Sequence, residues 1–471
     1  MITYTYLRFL SLVYIFAFWS LGTQILALIG YSGVLPVDNY LKAANDYWGS
    51  SVFWHVPTIC WVGHGDDILL MLCFLGAACS VLLFFGILPA VNAFIAWMLY
   101  LSLTVVGQDF MGFQWENLLL EAGFISIFLY PFCVKVGSEQ TPPSKAIIWL
   151  LRLLLFKLMF QSGLVKLLSN DPSWRDLSAL TYHYYTQPLP NPISWYFHQT
   201  PLWFHQASCA LMFFIELVVP FFIFAGRRAR RIAFIALIAF QAIIILTGNY
   251  GFFNLLTMTL CLTLLEDVNF KTGSGPKEPL AQKIVTTIIA VMIGLLSLFQ
   301  AMGMARHHPP KFIARMLNTI EPLRSINNYG LFAVMTKERN EIILEGSNDG
   351  LSWKAYEFNY KPGDLTQPPQ WAMPNQPRLD WQMWFAALGR YQDSPWLINT
   401  MARLLDGSKQ VEELFKVNPF KYHRPKYIRA SMYTYHFTTM DERKTTLNWW
   451  KREYRGLFIP AISLSNAPKV N

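Results

Sequence analysis

Between residues 157 and 205 the chain sets Lys157, Lys166, Arg175, Asp176, His183, Tyr184, Gln187 and Asn191 in and beside long apolar runs. A lysine in such a setting either pairs with a carboxylate or, partly desolvated, has a lowered pKa and serves as a base or nucleophile. Lys157 falls in the middle of the run 147–168 and Lys166 near its end. At about 100° per residue the two project from opposite faces of a helix. Arg152 shares a face with Lys166 to within about 40°, roughly 21 Å away along the axis. Glu121 and Glu216, in neighbouring apolar runs, are the available carboxylates. The plain reading of each lysine is a buried ion pair that fixes helix packing, or a side chain snorkelling to the interface. The chemical reading is specific to Lys166, which as a base would stand at the edge of a polar loop.

That loop contains Asp171-Pro-Ser-Trp-Arg-Asp176, with Asp171 suited to cap a helix or turn, and then His183-Tyr-Tyr-Thr-Gln-Pro-Leu-Pro-Asn-Pro192. Three prolines in five residues make the second string stiff and non-helical, suited to lining a pocket or presenting an edge. His183, His198 and His205 lack tight ligand spacing, so no metal site is expected. A second polar stretch runs through Gln108, Asp109, Gln114, Trp115, Glu116 and Glu121, with Glu116 or Asn117 placed to cap the next helix. Asn249 and Asn254 stand at a further turn. No phosphate-cradling glycine loop, GxSxG or HExxH is present, so neither a nucleotide, a hydrolase triad nor any other cofactor is expected.

The elements that position these residues are membrane helices. Of 471 residues, 54% are hydrophobic and 14% charged, against about a quarter charged in soluble proteins. A span needs roughly 20 apolar residues. Runs at 7–29, 68–88, 90–106, 118–136, 147–168, 203–225, 232–247, 251–266 and 284–303 give about nine, and the first is too long for a signal-peptide core. The expectation is a polytopic α-helical domain over 1–303 and a small α+β domain over 304–471, with the lipid bilayer as the principal surroundings. The net charge of +9 includes Arg227, Arg228, Arg230 and Arg231 in one cluster, which reads as a topology signal rather than a nucleic-acid face. With the N-terminus inside, Arg8, Lys135, Lys145, that cluster, Lys271, Lys277 and Lys283 fall on inner flanks. Only Lys42 and Arg175 fall in outer loops. The loops 31–67, 107–117 and 169–202, the 248–250 turn and the tail are then outside, with Trp115, Trp174, Trp195 and Trp203 as an interfacial belt. In the tail, 328–336, 340–347, 352–360 and 426–438 read as strands, Asn348-Asp349-Gly350 as a hairpin turn, and 381–416 as helical. All six cysteines precede the tail, and no N-x-S/T sequon occurs.

The strings GQDFMGFQWENLLLEAGF, FQSGLVKLLSNDPSWRDLSALTYHYYTQPLPNPISWYFHQTP, IELVVPFFIFAGRR and LTGNYGFFNLLTM resemble the lipase maturation factor family, as do EGSNDGLSWKAYEFNYKPGD and RLDWQMWFAAL in the tail. The resemblance runs from about residue 100 to about 455. It implies a multi-pass protein of the endoplasmic reticulum membrane, needed for dimeric lipases such as lipoprotein lipase to fold and assemble. A bacterial relative would use the plasma membrane instead. The pattern F-x-S-G-L-x-K-L followed by Trp174 is also distantly similar to the transmembrane domain of vitamin K-dependent γ-glutamyl carboxylase. That similarity implies a catalytic base at Lys166, although Val165 stands where the carboxylase has a second lysine.

The leading expectation is a non-enzymatic maturation factor that engages secreted client proteins, lipases by resemblance, on the outer face. Contact would come from the tail and the 169–202 loop. Glu121, Lys157, Arg175, Asp176, His183, Tyr184, Gln187, Asn191, Glu216 and Asn249 form its client-binding or structural polar site. The alternative is an integral membrane enzyme of carboxylase-like type using Lys166 as base. A transporter would show internal repeats, and none is evident.

Overall fold

In the computed structural model, residues 2–136, 142–265, 278–304 and 309–465 are described. Seven helices among them are long and apolar enough to cross a membrane. They are α1 (Ile2–Gly22), α2 (Asp66–Phe84), α3 (Pro89–Val106), α5 (Lys145–Leu168), α6 (Leu202–Leu217, continued by a 3₁₀ segment to Phe224), α7 (Arg227–Thr247) and α9 (Leu280–Met304). The runs 118–136 and 251–266 give shorter helices, α4 (Gln114–Ile127) and α8 (Phe252–Cys261). The expected nine are thus seven long helices and two short ones. Lys271 and Lys277 lie outside the described residues.

Both short helices nevertheless join the two ends of the bundle. Beyond α4, Val134 O accepts from Leu88 N at 2.7 Å, where α2 hands over to α3. Beyond α8, Thr263 O accepts from Arg152 Nε at 2.8 Å, in the second turn of α5. Gln282 Nε2 at the start of α9 donates to Pro142 O at 3.1 Å, just before α5. One end of the bundle therefore collects the N-terminus, 85–88, 130–136, the starts of α5, α7 and α9, and with them Arg8, Lys135, Lys145 and the arginine cluster. The opposite end collects 31–65, 107–113, 169–201 and 248–251.

The tail packs onto that opposite end. A four-stranded antiparallel sheet has the order β2-β1-β5-β6, with β1 Arg339–Ser347, β2 Lys354–Ala355, β5 Tyr427–Phe437 and β6 Trp450–Ile462. A two-stranded ribbon pairs β3 (Glu357–Phe358) with β4 (Phe415–Val417). The register of β1 on β5 runs from Arg339↔Tyr435 to Ser347↔Tyr427. The turn after β1 is fastened by Asp349, whose Oδ1 accepts from Leu351 N and Ser352 N at 2.8 Å, while Gly350 takes φ 75°. Between bundle and sheet lies α10 (Lys311–Ile320), an amphipathic helix with no fully buried residue, the form suited to an interface plane. Trp54 Nε1 donates to its Thr319 O at 2.8 Å.

Two expectations for the tail fail. Residues 328–336 form no strand; their β-branched and aromatic side chains suit one, but their backbone groups bond to bundle side chains instead. The helical run 381–416 breaks into α11 (Arg378–Ala386), α12 (Pro395–Asp406) and a single turn at Lys409–Glu412, and its last two residues belong to β4. Pro395 starts the second, and Gly407 ends it at φ 71°, the left-handed C-cap position that glycine fills without strain.

Asp380 in α11 is buried, and its Oδ1 accepts from Tyr360 N at 2.8 Å and Lys361 N at 2.9 Å. Burial pushes its carboxyl up to about 6, partly offset by those amides and the Lys361 charge. A raised folded-state pKa stabilises most below the ordinary carboxylate value of about 4, and the contribution is lost as pH rises through about 6. Asp380→Asn keeps the acceptor and removes the titration. Thermal unfolding in detergent between pH 4.5 and 7.5 should show the variant gaining on wild type by about 2–3 kcal/mol as pH rises, at about 1.4 kcal/mol per unit. A pH-independent difference would exclude the assignment.

Candidate functional site

Two buried ion pairs cross the bundle from opposite faces of α5. Lys157 Nζ donates to Glu121 Oε1 of α4 at 2.5 Å. Lys166 Nζ donates to Glu216 Oε1 and Oε2 of α6 at 3.0 and 2.8 Å, and to Ser162 O at 2.9 Å. The 180° separation anticipated for the two lysines is realised as two different partner helices. The second pair depends on a close helix approach. A Cβ on Gly163 would lie 2.9 Å from Glu216 Cβ, nearer than real Cβ atoms come.

Glu121 also holds the chain that links bundle to tail. Its Oε2 accepts from Tyr329 Oη at 2.7 Å, Asn327 N at 3.0 Å and Asn327 Nδ2 at 3.3 Å. The neighbouring backbone is held in the same way. Tyr329 N donates to Gln161 Oε1 at 2.9 Å, Gly330 N to Gln114 Oε1 at 3.1 Å, and Met335 N to Asp171 Oδ2 at 2.7 Å. Trp174 Nε1 donates to Phe332 O at 3.1 Å. A strap without regular structure, 325–335, thus has its polar groups met by side chains of the bundle and of the 169–202 loop, as buried backbone requires.

A second strap, 370–378, repeats the pattern. Asn249 Nδ2 donates to Gln370 O at 2.8 Å and its Oδ1 accepts from Ala372 N at 2.9 Å. Ser20 Oγ accepts from Gln376 N at 2.8 Å, and Gln24 Oε1 from Arg378 N at 3.0 Å. Arg378 Nη1 donates to Glu116 Oε1 at 2.7 Å and to Phe110 O at 2.9 Å, both side chains of the pair being fully buried. Gly251, at φ 56°, admits this strap; a Cβ there would sit 1.5 Å from Gln376 Oε1.

The proline-rich loop docks through Arg339 of β1. Arg339 donates from Nη1 to Tyr185 O at 2.8 Å and to Gln187 O, and from Nη2 to Pro188 O at 2.9 Å, and it pairs with buried Glu341. Gln187 Nε2 donates to Thr247 O at 2.7 Å and its Oε1 accepts from Tyr250 Oη at 3.0 Å. Asn191 caps the Pro192–His198 helix by accepting from Ser194 N at 3.0 Å.

Of the ten polar residues expected to form one site, Glu121, Lys157, Tyr184, Gln187, Asn191, Glu216 and Asn249 are buried. They divide between the straps, the loop and the ion pairs. His183, Tyr184, Lys166 and Glu216 also line one cavity, of about 450 Å³, between α5, α6, α7, α8, the 170–184 segment and Leu331 and Phe332 of the first strap. Arg175 and Asp176 join neither group; they are exposed, Arg175 bonding Asn170 Oδ1 and Asp176 accepting from Ser178 N at 2.9 Å. Glu116 caps no helix and serves Arg378 instead. Trp115, Trp174 and Trp195 are buried, Trp115 against Trp381 and Trp195 against Trp449, so of the expected belt only Trp203 is exposed. Sequence reasoning missed Arg339 and Arg378. Both stand in a tail rich in arginine, more than 150 residues from the loop and bundle groups they bind.

The geometry disfavours a base at Lys166. Its Nζ already contacts both Glu216 carboxylate oxygens and Ser162 O.

Removing one partner of a buried pair costs about 3–5 kcal/mol, because the other charge is left buried alone. Glu121→Ala should therefore lower stability in detergent by about that amount and expose the 325–335 strap to proteolysis. Glu121→Ala with Lys157→Met should recover part of the loss. Equal melting of the single variant and wild type would remove Glu121 from this role.

The model for the lipase maturation factor transmembrane domain matches residues 2–272, and that for the lipase maturation factor C-terminal domain matches 325–460. Among curated relatives, lipase maturation factor 1 of Mus musculus is 35% identical over 98% of this chain and 87% of its own length. Lipase maturation factor 2 of Rattus norvegicus is 34% identical over 98% and 83%, and that of Homo sapiens 34% over 98% and 82%. No solved structure matches.

Proposed function

The chain belongs to the lipase maturation factor family, and from that premise we propose that it is a membrane-embedded maturation factor for secreted lipases. It works in the endoplasmic reticulum membrane with the tail in the lumen. The distribution of charge supports that orientation: the bundle end away from the tail carries Arg8, Lys135, Lys145, the four-arginine cluster and Lys283, as a cytosolic face does.

The observation that carries the reading is the fixed docking of the tail. Two straps and one loop are pinned by buried side chains, so the sheet is held at a set height above the bilayer. The polar residues of the bundle serve this docking rather than client contact. Client contact falls to the exposed side of the tail. There β6 pairs, among the described residues, on one side only, with β5. Its Lys451–Arg455 segment is exposed, with Tyr454 at 58% and Leu457 at 51%. An open 13-residue strand is a surface on which a folding chain adds a strand, while its charges deter self-association.

The test is co-expression with a secreted lipase in cells lacking the endogenous factor, reading lipase activity per unit of secreted lipase. Wild type should restore activity. Tyr454→Asp with Leu457→Asp should lower it several-fold while the factor itself stays folded. Lys166→Arg keeps the charge opposite Glu216 but is unfit for proton abstraction, and should mature the lipase as wild type does. A folded but inactive Lys166→Arg would restore the enzymatic reading, and an unaffected β6 double variant would move the client surface elsewhere.

A further inference from the structure

Strand direction brings one turn of the tail back to the bundle. Arg339, the first residue of β1, is held on Tyr185 O and Pro188 O, and across the sheet it pairs with Tyr435. β1 therefore leaves the bundle, and β5, antiparallel to it, returns. At the returning end Gln199 Nε2 donates to Thr438 O at 3.1 Å, and the rings of Trp195 and Trp449 lie 5.3 Å apart. Just after Gln199 begins the span Leu202–Phe224, of 23 residues. That is only slightly longer than the roughly 20 that cross hydrocarbon, so Leu202 and Trp203 mark its outer boundary. Both are exposed, at 55% and 67%, and tryptophan at that depth is characteristic of the lipid interface. The turn joining β5 to β6 thus sits at the level of the bilayer surface.

That turn, 439–449, contains the helix Met440–Thr446, capped by Thr439 and ended by Leu447. Leu447 takes φ 61°, a left-handed conformation that is costly for a bulky side chain, and it is 75% exposed. In water neither the strain nor the exposure is compensated; against hydrocarbon, burial of a leucine side chain offsets both. Two residues on, the ring of Trp449 lies 6.4 Å from that of Tyr196, which is itself exposed. The apolar surface of the turn is therefore continuous with the lipid-facing start of α6. Charge does not select its partner. Asp441 holds Lys444 at 3.3 Å and Glu442 holds Lys451 at 2.8 Å, while Arg443 lies over the Trp449 ring, 3.7 Å from its centroid. We propose that the β5–β6 turn is a membrane foot of the tail: Leu447 enters the headgroup–acyl boundary of the tail-side leaflet beside Tyr196 and Trp203, and its partner is the phospholipid bilayer. β6 leaves this foot at Trp450, so its open edge starts at the membrane surface. The foot does not depend on what that edge binds.

The test places an NBD fluorophore on Leu447→Cys of the full-length protein in phosphatidylcholine nanodiscs. All six native cysteines are buried, and wild type sets the background of labelling. The quenchers are phosphatidylcholines carrying a nitroxide on the headgroup or near the start of an acyl chain. Quenching at 447 should exceed at least threefold that at Leu351→Cys, an exposed site on the turn after β1, at the strand end remote from Arg339. In a second pair the label sits on Lys444→Cys, with and without Leu447→Asn. Asparagine suits the left-handed backbone and so keeps the fold, which size-exclusion elution reports; it should cut quenching at 444 at least twofold. Raising salt from about 0.1 to about 1 M, which shortens screening from about 10 to about 3 Å, should change neither result. Quenching at 447 no greater than at 351 would overturn the foot and leave Leu447 to a protein partner. Quenching at 444 that ignores Leu447→Asn, or that disappears in high salt, would overturn it equally, whatever the outcome with the lipase.

Discussion

Backbone without regular structure has to find hydrogen-bond partners wherever it is buried, and at the tail-facing end of this bundle those partners are side chains of the helices and of the turns between them. The strap 325–335 is met by Glu121, Gln161, Gln114, Asp171 and Trp174. The strap 370–378 is met by Asn249, Ser20 and Gln24. Each of these groups would be a liability in lipid. Together they turn a bilayer-embedded bundle into a socket for an extramembrane domain.

The buried charges follow the same logic. Lys157 neutralises the carboxylate that holds Tyr329, and Arg378 neutralises Glu116 while tying α11 to Phe110 O. Such pairs contribute little net stability over apolar packing, but each fails badly when one member is lost. Their value here is positional, since a sheet anchored at Arg339, Tyr329 and Arg378 has little freedom to tilt. A maturation factor that receives a folding chain on an open strand benefits from that rigidity, because less ordering remains for the moment of contact.

Much of this was legible beforehand, and the failures have physical causes. Apolar runs located every long helix because span length is fixed by bilayer thickness. Helical periodicity separated Lys157 from Lys166, and the two available carboxylates proved to be their partners. The segment 328–336 misled because its side chains favour a strand while its amides are claimed from 150 or more residues away. Strand β6 was missed because KREYRGLFIP has no alternation to read, being exposed through most of its length. The short helices at 114–127 and 252–261 looked like spans because apolar chain continues beyond them. Arg339 and Arg378 left no trace, since nothing local distinguishes a docking arginine from a solvated one.

Native-state hydrogen exchange on the intact protein in nanodiscs tests the socket most directly. The amides of Asn327, Tyr329, Gly330, Met335, Ala372, Gln376 and Arg378 lie outside strands or at a helix start, yet should exchange as slowly as those in the middle of β1. Exchange at the rate of open loops, with β1 still protected, would mean that the tail is tethered rather than seated, and the account would fail.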